Sequence, residues 1–309
     1  MNRKCKPVAC VIMVFLLAGI LSVAGLYAGI FHDDLERPAP FPVAENGLLL
    51  FAHRGVDDYF PENSLKGFRA AGRLGFHAVE LDVRMTADSE IIIFHDPDGE
   101  RLLGRDLEIS DARAESIRSL PLHFMGEPTD SGPLLLEEFF ARMPDSTLVY
   151  IDIKPVRDFD KTLVTDELVE IVTDHGAGNQ VIMASSDIFL LQRIRSEDPQ
   201  IRTALEGFNA GKEWVYALIP LAWRPDYLSG FASGVDSAHI SWLEENGLTG
   251  KRIVYGVDSS NFHSLREQGI SCMIIDYGRY LDEVLPVPSA CAATILHPDR
   301  QTKPENHEQ

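Results

Sequence analysis

Short apolar runs recur along the chain from Leu48 onward, separated by segments of helix length, a pattern that predicts alternating strands and helices. Leu48–Ala52 and Ala78–Arg84 read as the first two strands, and the segment opened by Glu62 and Asn63 reads as the helix between them. Ile91–Phe94 reads as a third strand and Thr147–Lys154 as a fourth. Further strands are expected at Gln180–Ser185, Arg202–Glu206, Ser237–Trp242, Arg252–Asp258 and Ser271–Tyr277. Helices are expected at Leu134–Met143, Lys161–His175, Asp187–Ser196, Leu243–Leu248 and Asn261–Gln268.

The phase of two strands sharpens this picture. In Ala78-Val79-Glu80-Leu81-Asp82-Val83-Arg84 charged and apolar residues alternate, so Glu80, Asp82 and Arg84 share one face. Alone, such a strand reads as part of a sheet with one face in water. The same alternation returns in Leu148-Val149-Tyr150-Ile151-Asp152-Ile153-Lys154. Two such strands, each followed by a helix-like segment, fit a parallel barrel whose polar residues gather inside its mouth. About eight strand–helix units in some 240 residues is the size of a TIM-type (β/α)8 barrel.

Between the third and fourth strands, Asp98–Pro133 is polar and broken by Gly and Pro, and reads as a long loop with short helices covering the barrel mouth. Phe208–Trp223 is harder to place. Its Trp214, Tyr216 and Trp223 read first as packing between barrel and helix, and second as an apolar lip for acyl chains.

Charge removes whole classes of function. The 309 residues carry 47 Asp plus Glu against 28 Lys plus Arg, which argues against a nucleic-acid partner and against adsorption to anionic lipid through a basic face. A phosphate substrate fits such a chain only where a metal and a few cations reverse the sign locally.

The N-terminus separates from the rest. Residues 7–31 carry no charge and are long enough to cross a membrane as one helix; Arg3, Lys4 and Lys6 precede them, and Asp33, Asp34 and Glu36 follow. Basic residues stay cytoplasmic, so the remainder is expected outside the cytoplasm, on a single-pass anchor at the cell membrane. The competing reading is a signal peptide cleaved after Ser22-Val23-Ala24, leaving a secreted or periplasmic protein. The expected organisation is a cytoplasmic start at 1–6, the anchor at 7–31, a proline-rich linker at 32–47, the barrel at 48–285 and a partly disordered tail at 286–309. Cys272 reads as a buried thiol, with a bridge to Cys291 as the alternative.

The ordered set His53-Arg54-Gly55, Pro61-Glu62-Asn63-Ser64, Glu80-x-Asp82, Thr86-x-Asp88 and His95-Asp96 resembles the signature of the glycerophosphodiester phosphodiesterase family. Ile151-Asp152-Ile153-Lys154 resembles that family's fourth-strand motif, which usually carries glutamate where this chain has Asp152. The resemblance is dense over the first half of the barrel and thin over the second. Tyr255 and Asp258 stand where the family's polar-head pocket usually has tryptophan and asparagine, and Gly278 where it has proline.

The resemblance implies metal-dependent hydrolysis of glycerophosphodiesters to glycerol 3-phosphate and an alcohol. The alternatives are a lysophospholipase D acting on membrane-derived lysolipids and a barrel that binds phosphodiesters without turnover. The substrate would be a small-molecule or lipid-derived phosphodiester, with the membrane reached through the N-terminal helix. Glu80, Asp82 and Asp152 offer three hard oxygen ligands, which suit one divalent ion, Ca2+ or Mg2+, and do not suit zinc. His53 and His95 are the candidate base and acid, because imidazole titrates near neutrality. Arg54 and Lys154 are candidate phosphate ligands. Glu62 reads as a further ligand or support, and Asn63 as a helix cap or a hydrogen-bonding support of the site.

Overall fold

The computed structural model describes residues 37–156 and 160–281, together with residues 17, 19–21, 284–285 and 295–296. Eight strands close into a parallel ring: β1 (Leu49–Ala52), β2 (Ala78–Met85), β3 (Leu148–Ile153), β4 (Val181–Ser185), β5 (Arg202–Leu205), β6 (Tyr227–Phe231), β7 (Arg252–Val257) and β8 (Cys272–Ile275). Each pairs in parallel with the next, and β8 returns to β1, which is the TIM-type barrel expected.

Period-two alternation decides what each strand presents. Leu49, Phe51, Ala78, Tyr150, Ile182, Ala184, Ala204, Tyr227, Ile253 and Ile274 pack into one interior cluster, while residues between them face the helices. On β2 the inward positions after Ala78 are Glu80 and Asp82, both almost fully buried, so polar groups replace apolar ones toward the C-terminal mouth. At the opposite end the proline-rich approach to β1 does more than connect. Phe41 joins the interior cluster, its N–H donates to the Tyr227 hydroxyl at 2.6 Å, and the Arg202 guanidinium lies 4.5 Å over its ring.

Local sequence explains the first crossover. Ser64 caps helix Leu65–Leu74 by accepting from the Gly67 N–H, and Gly75 ends it in the left-handed conformation at φ 89°. Helices Leu136–Arg142, Lys161–Asp174, Ile188–Glu197 and Phe262–Glu267 fall close to their expected places.

Three expectations are corrected. Ile91–Ile93 forms a strand, but it pairs antiparallel to β2 and then to Leu134–Leu135, outside the ring; the strand carrying Asp152 is therefore the third of the ring. Ser237–Trp242 is not a strand: Asp236 caps a helix over Ser237–Glu245, with His239 and Leu243 buried one turn apart. The sixth strand is Tyr227–Phe231, a segment for which the sequence pattern predicted no strand. Gly230 is required there because a Cβ would stand 2.4 Å from the Phe208 carbonyl oxygen.

Residues 213–224 belong to a compact unit separate from the barrel. Within it, helix Glu213–Leu218 buries Tyr216 and exposes Trp214 and Leu218, and Trp223 is half-buried. Packing was the first expectation for all three aromatics; a helix this short has one buried face, and Trp214 lies on the other. Among the described residues no helix is long and apolar enough to cross a membrane, and the expected anchor at 7–31 lies outside them apart from the few positions above, as does most of the tail. Cys272 is buried and unbridged; Cys291 lies outside the described residues.

Candidate active site

A cavity of about 430 Å³ opens at the C-terminal ends of the ring strands. His53, Arg54, Glu80, Asp82, His95, Asp152, Lys154 and Tyr255, all singled out in the sequence, line it, together with Glu206, Phe231 and Asp276.

The turn after β1 is built for close approach. Arg54 and Gly55 take positive φ values of 49° and 89°, and a Cβ on Gly55 would come within 2.8 Å of the Gly67 carbonyl carbon. This brings the turn against the start of helix Leu65–Leu74. The Arg54 N–H then donates to Glu80 at 2.8 Å, and its guanidinium lies 2.9 Å from Glu62 and 3.2 Å from Asp82.

Glu80, Asp82 and Asp152 place ligand oxygens within 4.8 Å of one another. Three carboxylates converging in a buried site with only oxygen donors fit a hard divalent cation. Burial and the Asp82 charge push the Glu80 carboxyl up to about 8. Burial acts on Asp82 in the same sense but is outweighed by Lys154, Arg54 and His95, which hold it below the usual range. Lys154 Nζ bridges Asp82 at 2.7 Å and Asp152 at 2.5 Å. Asn63 does not cap the helix: its amide donates to Asp82 at 2.7 Å, and Ser64 is the cap.

Each histidine has a carboxylate partner. His53 Nδ1 is 2.7 Å from Asp276 and 3.9 Å from Asp57. Burial lowers the His53 pKa, but the Asp276 hydrogen bond and the Glu80 charge outweigh it and raise it to about 9. His95 follows Ile91–Ile93, so only His53 ends a ring strand; it is fixed instead by Arg84, which donates to its carbonyl at 3.0 and 2.8 Å, and by Asp96, 2.7 Å from its Nδ1. Despite burial, Arg101 and His95 hold Asp96 down at about 2.

Glu62 stands away from the carboxylate cluster. It is held between Arg54 at 2.9 Å and Arg101 at 2.5 Å, and Arg101 also reaches Asp96 at 2.7 Å. The chain Arg54–Glu62–Arg101–Asp96–His95 thus ties the phosphate-side arginine to the second histidine. Asp258 is also turned away, its carboxylate accepting from the Ser260 N–H at 2.7 Å and Ser260 hydroxyl at 2.5 Å in the turn after β7.

Sequence reasoning missed Arg101, Asp276 and Glu206. Arg101 sits in a polar excursion without periodicity, and its role depends on helix Glu100–Leu103 folding back toward the site. Glu206 ends β5 and accepts from the Tyr150 hydroxyl at 2.9 Å; burial and Asp152 raise its pKa well above normal, and it hydrogen-bonds Asp152. The signal available was Asp276 and Glu206 as acids at the C-terminal ends of ring strands.

Comparisons with known proteins bear on the family and the fold. A glycerophosphodiester phosphodiesterase of Caldanaerobacter subterraneus is 27% identical over 163 residues, which cover 51% of this chain and 65% of that protein, less than two thirds of its length. A human lysophospholipase D is 24% identical over 158 residues, 48% of this chain and 49% of that protein. Among solved structures, an Oleispira antarctica phosphodiesterase in complex with the product sn-glycerol-3-phosphate superposes with a TM-score of 0.69 at 22% identity, over 76% of this chain and 95% of that one. Residues 53–278 match the Glycerophosphoryl diester phosphodiesterase family, and the chain belongs to that family.

Proposed function

We propose that this chain is a phosphodiesterase that hydrolyses glycerophosphodiesters to glycerol 3-phosphate and an alcohol, with a divalent cation at Glu80, Asp82 and Asp152. The observation that carries this reading is the meeting, in one cavity, of two carboxylate-supported histidines, a three-carboxylate cluster, Arg54 and Lys154. A binding protein has no need of such an acid–base pair.

A cation bound by the three carboxylates would neutralise charge on the phosphate oxygens. Arg54 and Lys154 hold and orient the same group as a fork and a point charge. His53, with Nδ1 committed to Asp276, keeps its proton near neutrality and offers it through Nε2 to the departing alcohol oxygen. His95, with Nδ1 committed to Asp96, accepts the proton of the attacking oxygen, either water or the neighbouring glycerol hydroxyl. One P–O bond forms, the bond to the alcohol breaks, and one proton enters and one leaves through separate imidazoles; where the glycerol hydroxyl attacks, the product is a cyclic phosphate, which a second attack by water opens to glycerol 3-phosphate.

A lysophospholipase D activity uses the same chemistry on a glycerol that still bears an acyl chain, and the name of the human relative favours it as the second reading. Phosphorus NMR of glycerophosphocholine and lysophosphatidylcholine incubated with the full chain separates the two. Glycerol 3-phosphate accumulating faster than lysophosphatidic acid supports the first; the reverse order favours the second, and no product from either rejects both. The charge asymmetry around residues 7–31 supports a catalytic domain outside the cytoplasm, on an anchor or after export. Protease applied to intact cells should reach residues beyond Pro38, and full protection until lysis would refute this.

A further inference from the structure

Each carboxylate of the cluster has a hydrogen-bond partner behind it. Glu80 accepts from the Arg54 N–H, Asp82 accepts from the Asn63 amide, and Asp82 and Asp152 share Lys154. Asp152 has a further partner of a different kind, the Glu206 carboxyl group. Two carboxyl groups hydrogen-bond only through a proton, so Glu206 stands in the place of a donor where the other partners are N–H groups.

Glu206 is itself held in place. It follows β5 directly, and its N–H donates to the Ser185 carbonyl at the end of β4 at 3.0 Å. Its Oε1 accepts from the Tyr150 hydroxyl at 2.9 Å. Tyr150 lies two residues before Asp152 on β3, on the same inner face, fully buried in the interior cluster. Its ring meets Phe51 edge to face at 5.8 Å. Core packing thus fixes the ring, the hydroxyl fixes Glu206, and Glu206 reaches the acid in the layer above. Among the described residues, the ligand oxygens of Glu80, Asp82 and Asp152 form the group at this site that lies within 4.8 Å of one another, and Glu206 is outside it. Its place is beside the cluster, in contact with one member.

We infer that Glu206 is a positioning residue for the cation site: it fixes the direction of the Asp152 carboxylate from the packed core through Tyr150, and so sets how tightly the site holds a divalent ion. This rests on the cation assignment in the reading above. Two other roles for Glu206 make different demands. A Tyr150–Glu206 pair that only stabilises the barrel leaves cation affinity untouched. A direct ligand at Glu206 needs its charge. Glutamine separates these roles, because its amide donates to Asp152 and accepts from Tyr150 but offers no carboxylate.

The test is isothermal titration of the full chain with Ca2+, beside the melting temperature of the same protein without the ion. Glu206→Gln is expected to bind within about twofold of wild type, Glu206→Leu about tenfold or more weaker, and Tyr150→Phe, which keeps the ring packed, severalfold weaker, on the scale of losing the partner that orients a metal ligand. Wild-type affinity in Glu206→Leu or in Tyr150→Phe would overturn the inference, as would a loss in Glu206→Gln equal to that in Glu206→Leu. If Glu206→Leu does not fold, Glu206→Gln and Tyr150→Phe decide it by the same criteria, with a tenfold loss in glutamine counting against it. Each of these failures leaves the phosphodiesterase reading standing. A wild type that binds neither Ca2+ nor Mg2+ rejects the cation assignment, and this inference falls with it.

Discussion

Asp82 and Asp152 are register partners in the parallel pairing of β2 and β3, so their carboxylates stand side by side on the inner face of the barrel. Asp152 therefore reaches the cluster even though its side chain is one methylene shorter than the glutamate usual in the family. Lys154 Nζ sits between the two acids and Glu206 hydrogen-bonds Asp152, so the shorter side chain has two further partners. Asp152→Asn should weaken Ca2+ binding about tenfold or more, as loss of a ligand or its support commonly does. Isothermal titration with Ca2+ reads this without turnover, and unchanged affinity would remove Asp152 from the ligand set.

The contact between His53 and Asp276 sets a pH limit. A raised imidazole pKa means that the proton His53 must donate is present below about 9 and lost as pH rises through that value. Asp276→Asn removes the negative charge and leaves only a neutral acceptor for the imidazole N–H. The alkaline limb of kcat/KM should then move down toward about 6.5, the ordinary imidazole value. A limb that stays in place in Asp276→Asn would show that His53 is not the group that falls off there.

Arg101 is half exposed, yet it connects Glu62 and Asp96, the supports of Arg54 and His95. Arg101→Ala should cost about tenfold in kcat/KM through misplaced partners, on the scale of a lost positioning contact. Its melting temperature should barely change, since an exposed ion pair contributes little to stability. A large loss of stability with normal activity in the surviving fold would make Arg101 structural.

Much of this site was legible because strand period fixes direction. Alternation puts Glu80 and Asp82 on one face of their strand and Asp152 with Lys154 on one face of another, and the barrel follows from two such strands with helices between. What alternation cannot give is which strand neighbours which. Ile91–Ile93 has the composition of a ring strand and pairs antiparallel outside it. Tyr227–Phe231 was invisible because Gly230 answers to the Phe208 carbonyl, a contact made by distant sequence. Arg101 and Asp276 were missed for the same reason: their partners lie 39 and 223 residues away. Asp258 was placed in the pocket by position, but a local hydrogen bond to Ser260 turns it aside.

Gly55 tests the packing of the turn that carries Arg54. At φ 89°, with the helix backbone 2.8 Å from where a Cβ would stand, alanine must strain the turn and push it off helix Leu65–Leu74. Gly55→Ala should destabilise the fold by about 2 to 4 kcal/mol, adding left-handed strain to overpacking. Denaturant unfolding measures it, and a change below about 0.5 kcal/mol, the level of an ordinary surface substitution, would contradict the close approach.

The central claim is a cation-assisted phosphodiester cleavage carried by two histidines. It is tested most directly by following glycerol 3-phosphate release from glycerophosphocholine by the full chain, before and after chelation, in wild type and in the folded variants His53→Ala and His95→Ala. The account predicts release that chelation abolishes and added Ca2+ restores at least as well as Mg2+, and losses of about 100-fold or more in each variant. Release that survives complete metal removal, or near wild-type rates in either histidine variant, would contradict it.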